Sequence, residues 1–116
     1  MEEAGTSRER MCLLHCNTAY PTPFEDVNLR AMLTIGAAFP GIAVGYSDHT
    51  LGIEASLAAA ALGARVLEKH FTLDKAFKGP DHSSALDPEE LKTWLRRIRE
   101  MEKSMGSYEK NITKAE

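Results

Sequence analysis

Two histidines close consecutive apolar runs: His49 ends Val44-Gly-Tyr-Ser-Asp-His49-Thr50, and His70 ends Val66-Leu-Glu-Lys-His70-Phe71. Inner strands of a parallel α/β barrel deliver reactive side chains to one rim at such positions, and two imidazoles on neighbouring strand ends can share one divalent cation. The period of two in a strand puts Glu68 on the face of His70 and Lys69 on the other, and puts Ser47 with His49 if strand geometry continues past Tyr46. Charge gathered at strand ends is costly to bury without a metal or polar partners, which is the physical argument for a site. The same positions also suit His49 as a cap of the following helix and His70 as a hydrogen-bonded core residue, and spacing alone leaves both readings open.

The remaining polar residues divide by context. Asp81, in Gly79-Pro80-Asp81-His82, fits a simple turn as well as a site. Tyr20 precedes Pro21 and Pro23 and serves equally as a packing aromatic. His15 and His82 read as structural, and the arginines and lysines of the last helix as a solvated face. Cys12 and Cys16 stand at the two ends of one strand, ~13 Å apart, beyond the reach of a disulfide. They read as buried reduced thiols, and nothing nearby in sequence activates Cys16 as a nucleophile. No Walker loop, dinucleotide glycine fingerprint or HExxH motif occurs, so NTP hydrolysis, dinucleotide chemistry and zinc proteolysis lack their usual support.

Three strand-then-helix units position these groups. Cys12–Cys16 is the first strand. Thr22, Pro23 and Glu25 then spell a capping box with proline at the first helical position, predicting a helix from Pro23 to about Phe39 with Phe24, Val27, Ala31 and Ile35 along one stripe. Ile42–Tyr46 is an uninterrupted apolar strand, as expected where helices cover it. An alanine-rich helix follows from about Gly52 to Leu62, with Gly63 as its cap. Arg65–Phe71 is the third strand, and a polar loop runs from Thr72 to Ala85. Asp87, Pro88 and Glu90 spell a second capping box, with Leu86 and Leu91 as its hydrophobic staple. The last helix turns Leu91, Leu95, Ile98 and Met105 inward and Arg96, Arg99 and Glu100 outward, and stops at Gly106. Glu2-Glu3-Ala4-Gly5 reads as a helix end with a glycine cap, and residues 107–116 as a polar linker. Both ends read as cuts within a larger protein.

With 116 residues, 43% hydrophobic and 27% charged, the chain has the composition of a globular domain but less than half the length of a (β/α)8 barrel, which needs about 250 residues. A formal charge of −3 gives no basic footprint for nucleic acid. No apolar run reaches the roughly 18 residues of a membrane span, and the first residues do not form a signal peptide, so the expected compartment is the cytoplasm.

Taken in order, His15-Cys16, Tyr20-Pro-Thr-Pro-Phe-Glu-Asp-Val27, Gly45-Tyr-Ser-Asp-His-Thr50, Glu68-Lys-His-Phe-Thr-Leu-Asp-Lys75 and Gly79-Pro-Asp-His82 resemble the sialic acid synthase family, which includes N-acetylneuraminate, legionaminate and pseudaminate synthases. The resemblance runs from about Gly5 to Gly106. It implies an α/β fold in which residues 1–106 supply the last three βα units, the sixth to the eighth, of a TIM (β/α)8 barrel. It implies condensation of phosphoenolpyruvate with an N-acylated mannosamine-type sugar, with release of phosphate, supported by Mn2+ or Mg2+. His49 and His70 match the family's metal ligands, Ser47 a phosphoenolpyruvate contact, and Tyr20 and Asp81 contacts to the sugar. Asp81 and Glu68 are the carboxylates assigned to the chemistry, Asp81 through the resemblance and Glu68 only from its place on the face of His70, as a support for that ligand. Family members work as homodimers. Asn17-Thr18-Ala19 falls where members vary, leaving the acceptor open. The family's phosphate-binding lysines and serines belong to the first five strands, and its C-terminal antifreeze-like domain lies beyond this chain. The expected function is therefore that of a synthase fragment, inactive alone; the alternatives are an inactive metal- or phosphosugar-binding remnant, or one half of a split barrel. The nearest competing chemistry is that of phosphoenolpyruvate aldol synthases acting on sugar phosphates.

Overall fold

The computed structural model describes residues 3–116. Three parallel strands, β1 (Cys12–Cys16), β2 (Ala43–Asp48) and β3 (Leu67–Lys69), form one sheet in chain order. Parallel neighbours need crossover connections. Helices α1 (Ala31–Ala38) and α2 (Glu54–Ala61) supply them, and α3 (Pro88–Met105) follows β3. In register, His15 lies opposite Tyr46 and Cys16 opposite Ser47; Ser47 in turn lies opposite Glu68, and Asp48 opposite Lys69.

Alternation along the strands gives the sheet two unlike faces. On one, Tyr46 packs with Val27, Met32, Ala55 and Ala59, and Leu67 joins a second cluster of Leu86, Trp94 and Ile98. The small side chains of α2 let it lie close to the sheet, and Ala59 is fully buried. The other face carries Cys12, Cys16, Ala43, Val66 and Glu68, all exposed. Gly45 sits at its centre because nothing larger fits: a Cβ there would lie 2.4 Å from the Val66 carbonyl oxygen and 2.6 Å from Leu14 Cδ2.

Several local expectations change. The first helix divides into a single 3-10 turn at Phe24–Asp26 and the shorter α1, because Thr22 Oγ1 donates to the Ala19 carbonyl at 2.7 Å instead of capping, and Asn28 takes φ 47° between them. Met32, rather than Ile35, is the buried residue of α1, and Phe24 is exposed. The strand β3 is shorter than Arg65–Phe71, although Leu86 continues its pairing beyond Lys69. The Leu86 amide donates to the His70 carbonyl at 2.8 Å, and the Thr72 amide to the Leu86 carbonyl at 2.9 Å. In α3 Ile98 is buried and Leu91 packs beside it as expected, while Trp94 is buried in place of Leu95 and Met105, which are exposed.

The strong stop and start signals hold. Gly63, at φ 99°, closes α2 with paired bonds from its own amide to Ala60 and from the Ala64 amide to Ala59. The box at α3 is reciprocal: Asp87 Oδ1 accepts from the Glu90 amide at 2.9 Å and Glu90 Oε2 from the Asp87 amide at 3.0 Å. Residues 107–116 contain neither helix nor strand and are exposed. The suggested helix end at Glu2–Gly5 begins outside the described residues; Glu3–Gly5 form a turn with Gly5 at φ 84°. Among the described residues no helix is long and apolar enough to cross a membrane.

Candidate functional site

At the carboxyl ends of β2 and β3 the chain leaves the sheet, and the first residue past each strand is a histidine. The His49 and His70 rings lie side by side, with centroids 5.1 Å apart at an interplanar angle of 74°. His49 does not cap α2, whose first turn has no side-chain cap. Its Nδ1 lies 2.7 Å from the Asn17 carbonyl oxygen, a bond that only a protonated Nδ1 can make, so the tautomer follows from the partner. The lone pair is thereby left on Nε2.

Ser47 Oγ, 3.4 Å from that Nε2, spends its one proton on Glu68 Oε1 at 2.6 Å. Both atoms that face each other across this gap are acceptors, and the other polar group near Nε2 among the described residues is the weak donor Cys16 Sγ, at 3.9 Å from it and closer, at 3.4 Å, to the Asn17 carbonyl oxygen. The His70 ring makes no hydrogen bond among the described residues, and its neighbours are the rings of His49 and Tyr20. Two imidazoles, one oriented by a backbone carbonyl and with only long contacts at its Nε2, the other without a hydrogen bond among the described residues, are a donor set that suits a divalent cation. Among the described residues no group of three or more His, Cys, Asp and Glu is placed to hold a metal. A cation at His49 and His70 would therefore complete its shell from water or substrate oxygens, the habit of Mn2+ and Mg2+ rather than of structural zinc.

Tyr20 walls this space. Its ring is tilted over His70 at 4.3 Å and meets His49 edge-on at 5.2 Å, and its hydroxyl donates to the Asp81 carbonyl oxygen at 3.3 Å. Burial, and then the charges of Asp81 and Asp48, push the Tyr20 hydroxyl above its usual range, so at neutral pH it is a donor. The amide of Thr22 donates to the His49 carbonyl at 2.8 Å, tying the loop of Tyr20 to the end of β2. Asp81 is exposed, on a turn anchored by His82, whose Nδ1 lies 2.8 Å from Thr72 Oγ1 and whose ring meets Phe77 edge-on.

The six residues singled out by sequence thus fall at one rim of the sheet, with one difference in pairing: Glu68 bonds to Ser47 instead of His70. His15 is structural, with Nε2 2.7 Å from the Val27 carbonyl oxygen and its ring stacked on Tyr46. The cysteines are free but exposed, contrary to the expectation of burial, because their face of the sheet carries no helix. Cys16 Sγ lies 3.8 Å from His49 Nδ1. That neighbour belongs to the next strand, so nothing in local sequence points to it; the only clue was the parallel register.

The NeuB family profile matches residues 3–110. The chain is 54% identical over 112 residues to the N,N'-diacetyllegionaminic acid synthase of Campylobacter jejuni, covering 97% of this chain and 33% of that protein. It is 50% identical over 105 residues to the N-acetylneuraminate-9-phosphate synthase of Homo sapiens, covering 90% and 29%. The crystal structure of the N-acetylneuraminic acid (sialic acid) synthetase of Leptospira borgpetersenii superposes with a TM-score of 0.79 at 34% identity, covering 91% of this chain and 37% of that one. The chain spans about a third of the length of the relatives it matches.

Proposed function

Because the chain belongs to the NeuB family, we propose that it supplies the sixth to eighth βα units of a (β/α)8 barrel in a nonulosonic acid synthase, residues 1–106 forming the barrel segment and 107–116 a linker. The enzyme would condense phosphoenolpyruvate with an N-acylated mannosamine-type sugar and release phosphate. The observation that carries this reading is the pair of imidazoles side by side at adjacent parallel strand ends, since barrel enzymes place their chemistry at that rim. The exposed opposite face of the sheet, with Gly45 at its centre, supports a position inside a larger closed sheet.

His49 Nε2 and the His70 ring would hold Mn2+ or Mg2+. When bound, the ion supplies Lewis-acid polarisation of the open-chain sugar aldehyde, the electrophile that C3 of phosphoenolpyruvate attacks. The Asn17 carbonyl keeps Nε2 directed at the site. Ser47 would contact phosphoenolpyruvate by turning its hydroxyl proton to one of the anion's oxygens, which are acceptors only; Glu68, the present acceptor of that proton at 2.6 Å, fixes where the hydroxyl stands and thus acts through Ser47. Tyr20 and Asp81, joined by the hydroxyl-to-carbonyl bond, bound the side from which the sugar enters. Water that attacks C2 and the residues that grip phosphate would be governed by the remaining units of the barrel. Assembly as a homodimer belongs to the same proposal.

The test is activity of the chain joined to the complementary barrel units of its Campylobacter relative. His49→Ala and His70→Ala are expected to abolish Mn2+-dependent synthesis with little change in the unfolding midpoint, since both rings sit at the rim rather than in the core. Turnover near that of the parent at saturating Mn2+, for either variant, refutes the role.

A further inference from the structure

Behind the two histidines, on the helix-covered face, lies a polar network that the reading above does not use. Asp48 and Lys69 are register partners, and each immediately precedes one of the histidines. Asp48 is fully buried and the Lys69 side chain is 3% exposed. Asp48 Oδ1 accepts from the Thr50 amide at 2.9 Å, Thr50 Oγ1 at 2.7 Å and the Tyr46 hydroxyl at 3.3 Å. Oδ2 takes the Ser56 hydroxyl of α2 and Lys69 Nζ, the latter at 3.1 Å. Lys69 Nζ also donates to the Thr50 carbonyl oxygen at 2.7 Å.

We propose that the buried Asp48–Lys69 pair is a positioning clamp that sets the separation and orientation of the His49 and His70 rings. The residues on both sides of His49 are bonded to the residue preceding His70, so neither histidine can shift along its strand end without breaking bonds inside the fold. Stability alone is a weak reason for such a pair, because well-packed neutral residues replace buried ion pairs at little cost, and often with a gain. What the charges add is directional bonding: all the proton-accepting capacity of one carboxylate is committed to β2, α2, β3 and the loop after His49. The proposal rests on the reading of His49 and His70 as metal ligands, and the clamp acts through them without touching substrate.

The experiment compares the full 116-residue chain with its Asp48→Asn/Lys69→Met double variant, which removes both charges while keeping side-chain size. Three quantities are measured: the unfolding midpoint, nuclear Overhauser effects among the Tyr20, His49 and His70 rings, and Mn2+ affinity by electron paramagnetic resonance. The expected result is an unfolding midpoint close to that of the parent, loss of the Tyr20–His70 and His49–His70 ring cross-peaks, and Mn2+ binding weakened by about tenfold, the scale seen when partners of metal-ligating histidines are removed. A folded double variant that keeps the ring cross-peaks and binds Mn2+ within about twofold of the parent overturns the clamp. If the parent itself binds no Mn2+, the metal reading fails, and the ring cross-peaks still decide the clamp. Should the double variant not fold, Ser56→Ala, which removes one hydroxyl from Asp48 Oδ2, is expected to weaken the same cross-peaks; their full retention there also overturns it.

Discussion

Gly45→Ala is the sharpest test of how the sheet holds the two histidines. The new methyl would stand 2.4 Å from the Val66 carbonyl oxygen, 2.6 Å from Leu14 Cδ2 and 3.0 Å from Val66 Cβ. Leu14 can rotate its end away. The Val66 carbonyl cannot, because it accepts the Tyr46 amide at 2.9 Å and is part of the pairing between β2 and β3. Relief requires moving β3 off β2, which adds the cost of overpacking, about 1–3 kcal/mol, to the loss of one hydrogen bond, about 1 kcal/mol. A total of about 2–4 kcal/mol should lower the melting temperature by roughly 8–16 °C, at about 4 °C per kcal/mol for a domain of this length. Gly36→Ala is the control of opposite sign: it lies inside α1, its added Cβ meets only Val44 Cγ2 at 3.8 Å, and alanine is the better helix former by about 1 kcal/mol. Thermal unfolding followed by circular dichroism reads both. A Gly45→Ala melting temperature within about 2 °C of the parent would show that β3 is not held where the structure places it, and would remove the geometric basis for the histidine pair.

Two further outcomes are expected. Asp87→Ala removes the side-chain acceptor of the reciprocal box at α3 and should destabilise the chain by about 1–2 kcal/mol in urea titration, whereas Asp87→Ser should retain most of that stability; equal losses would deny the cap. Burial, then the charge of Asp48 and its hydrogen bond, hold the Tyr46 hydroxyl far above its ordinary 10.0 in the folded state. Folding therefore favours the protonated phenol: the contribution is fully present below pH 10.0 and is lost as pH rises beyond it, where the unfolded chain ionises first. Urea midpoints at roughly pH 8 and roughly pH 11 should converge in Tyr46→Phe relative to the parent, and an unchanged gap would contradict the burial of that hydroxyl.

The strand ends were legible because their signals are local: an apolar run, then a polar residue, with period two deciding the face. The same rule grouped Ser47 with His49, whose Oγ and Nε2 lie 3.4 Å apart, whereas Glu68 meets Ser47 rather than His70. The box at Asp87 was legible because the sequence supplies both of its bonds. The Thr22 box was not, since the Thr22 hydroxyl has a competing acceptor in the Ala19 carbonyl and Asn28 adopts a left-handed turn that no pattern marks. What sequence missed lies across strands. Cys16 beside His49, Asn17 fixing the His49 tautomer, and Glu68 bonded to Ser47 all follow from register, which is a property of pairing rather than of any one segment. On α3 the expected Leu91 and Ile98 do face inward, but Trp94 takes the place given to Leu95 and meets the residues of α2 and β3.

Asp48 and His49, like Lys69 and His70, are consecutive residues that serve opposite faces of one sheet. A slip of either strand by a single residue would carry an imidazole into the helix layer and turn a charged side chain out to the rim, reversing every assignment at once. Misregistered forms would lose the buried network and the histidine pair together. The folding reaction therefore inspects the site without any separate signal: a molecule that has satisfied its interior has also set its two imidazoles side by side, and one that has not is left with an unpaired buried charge to drive it back.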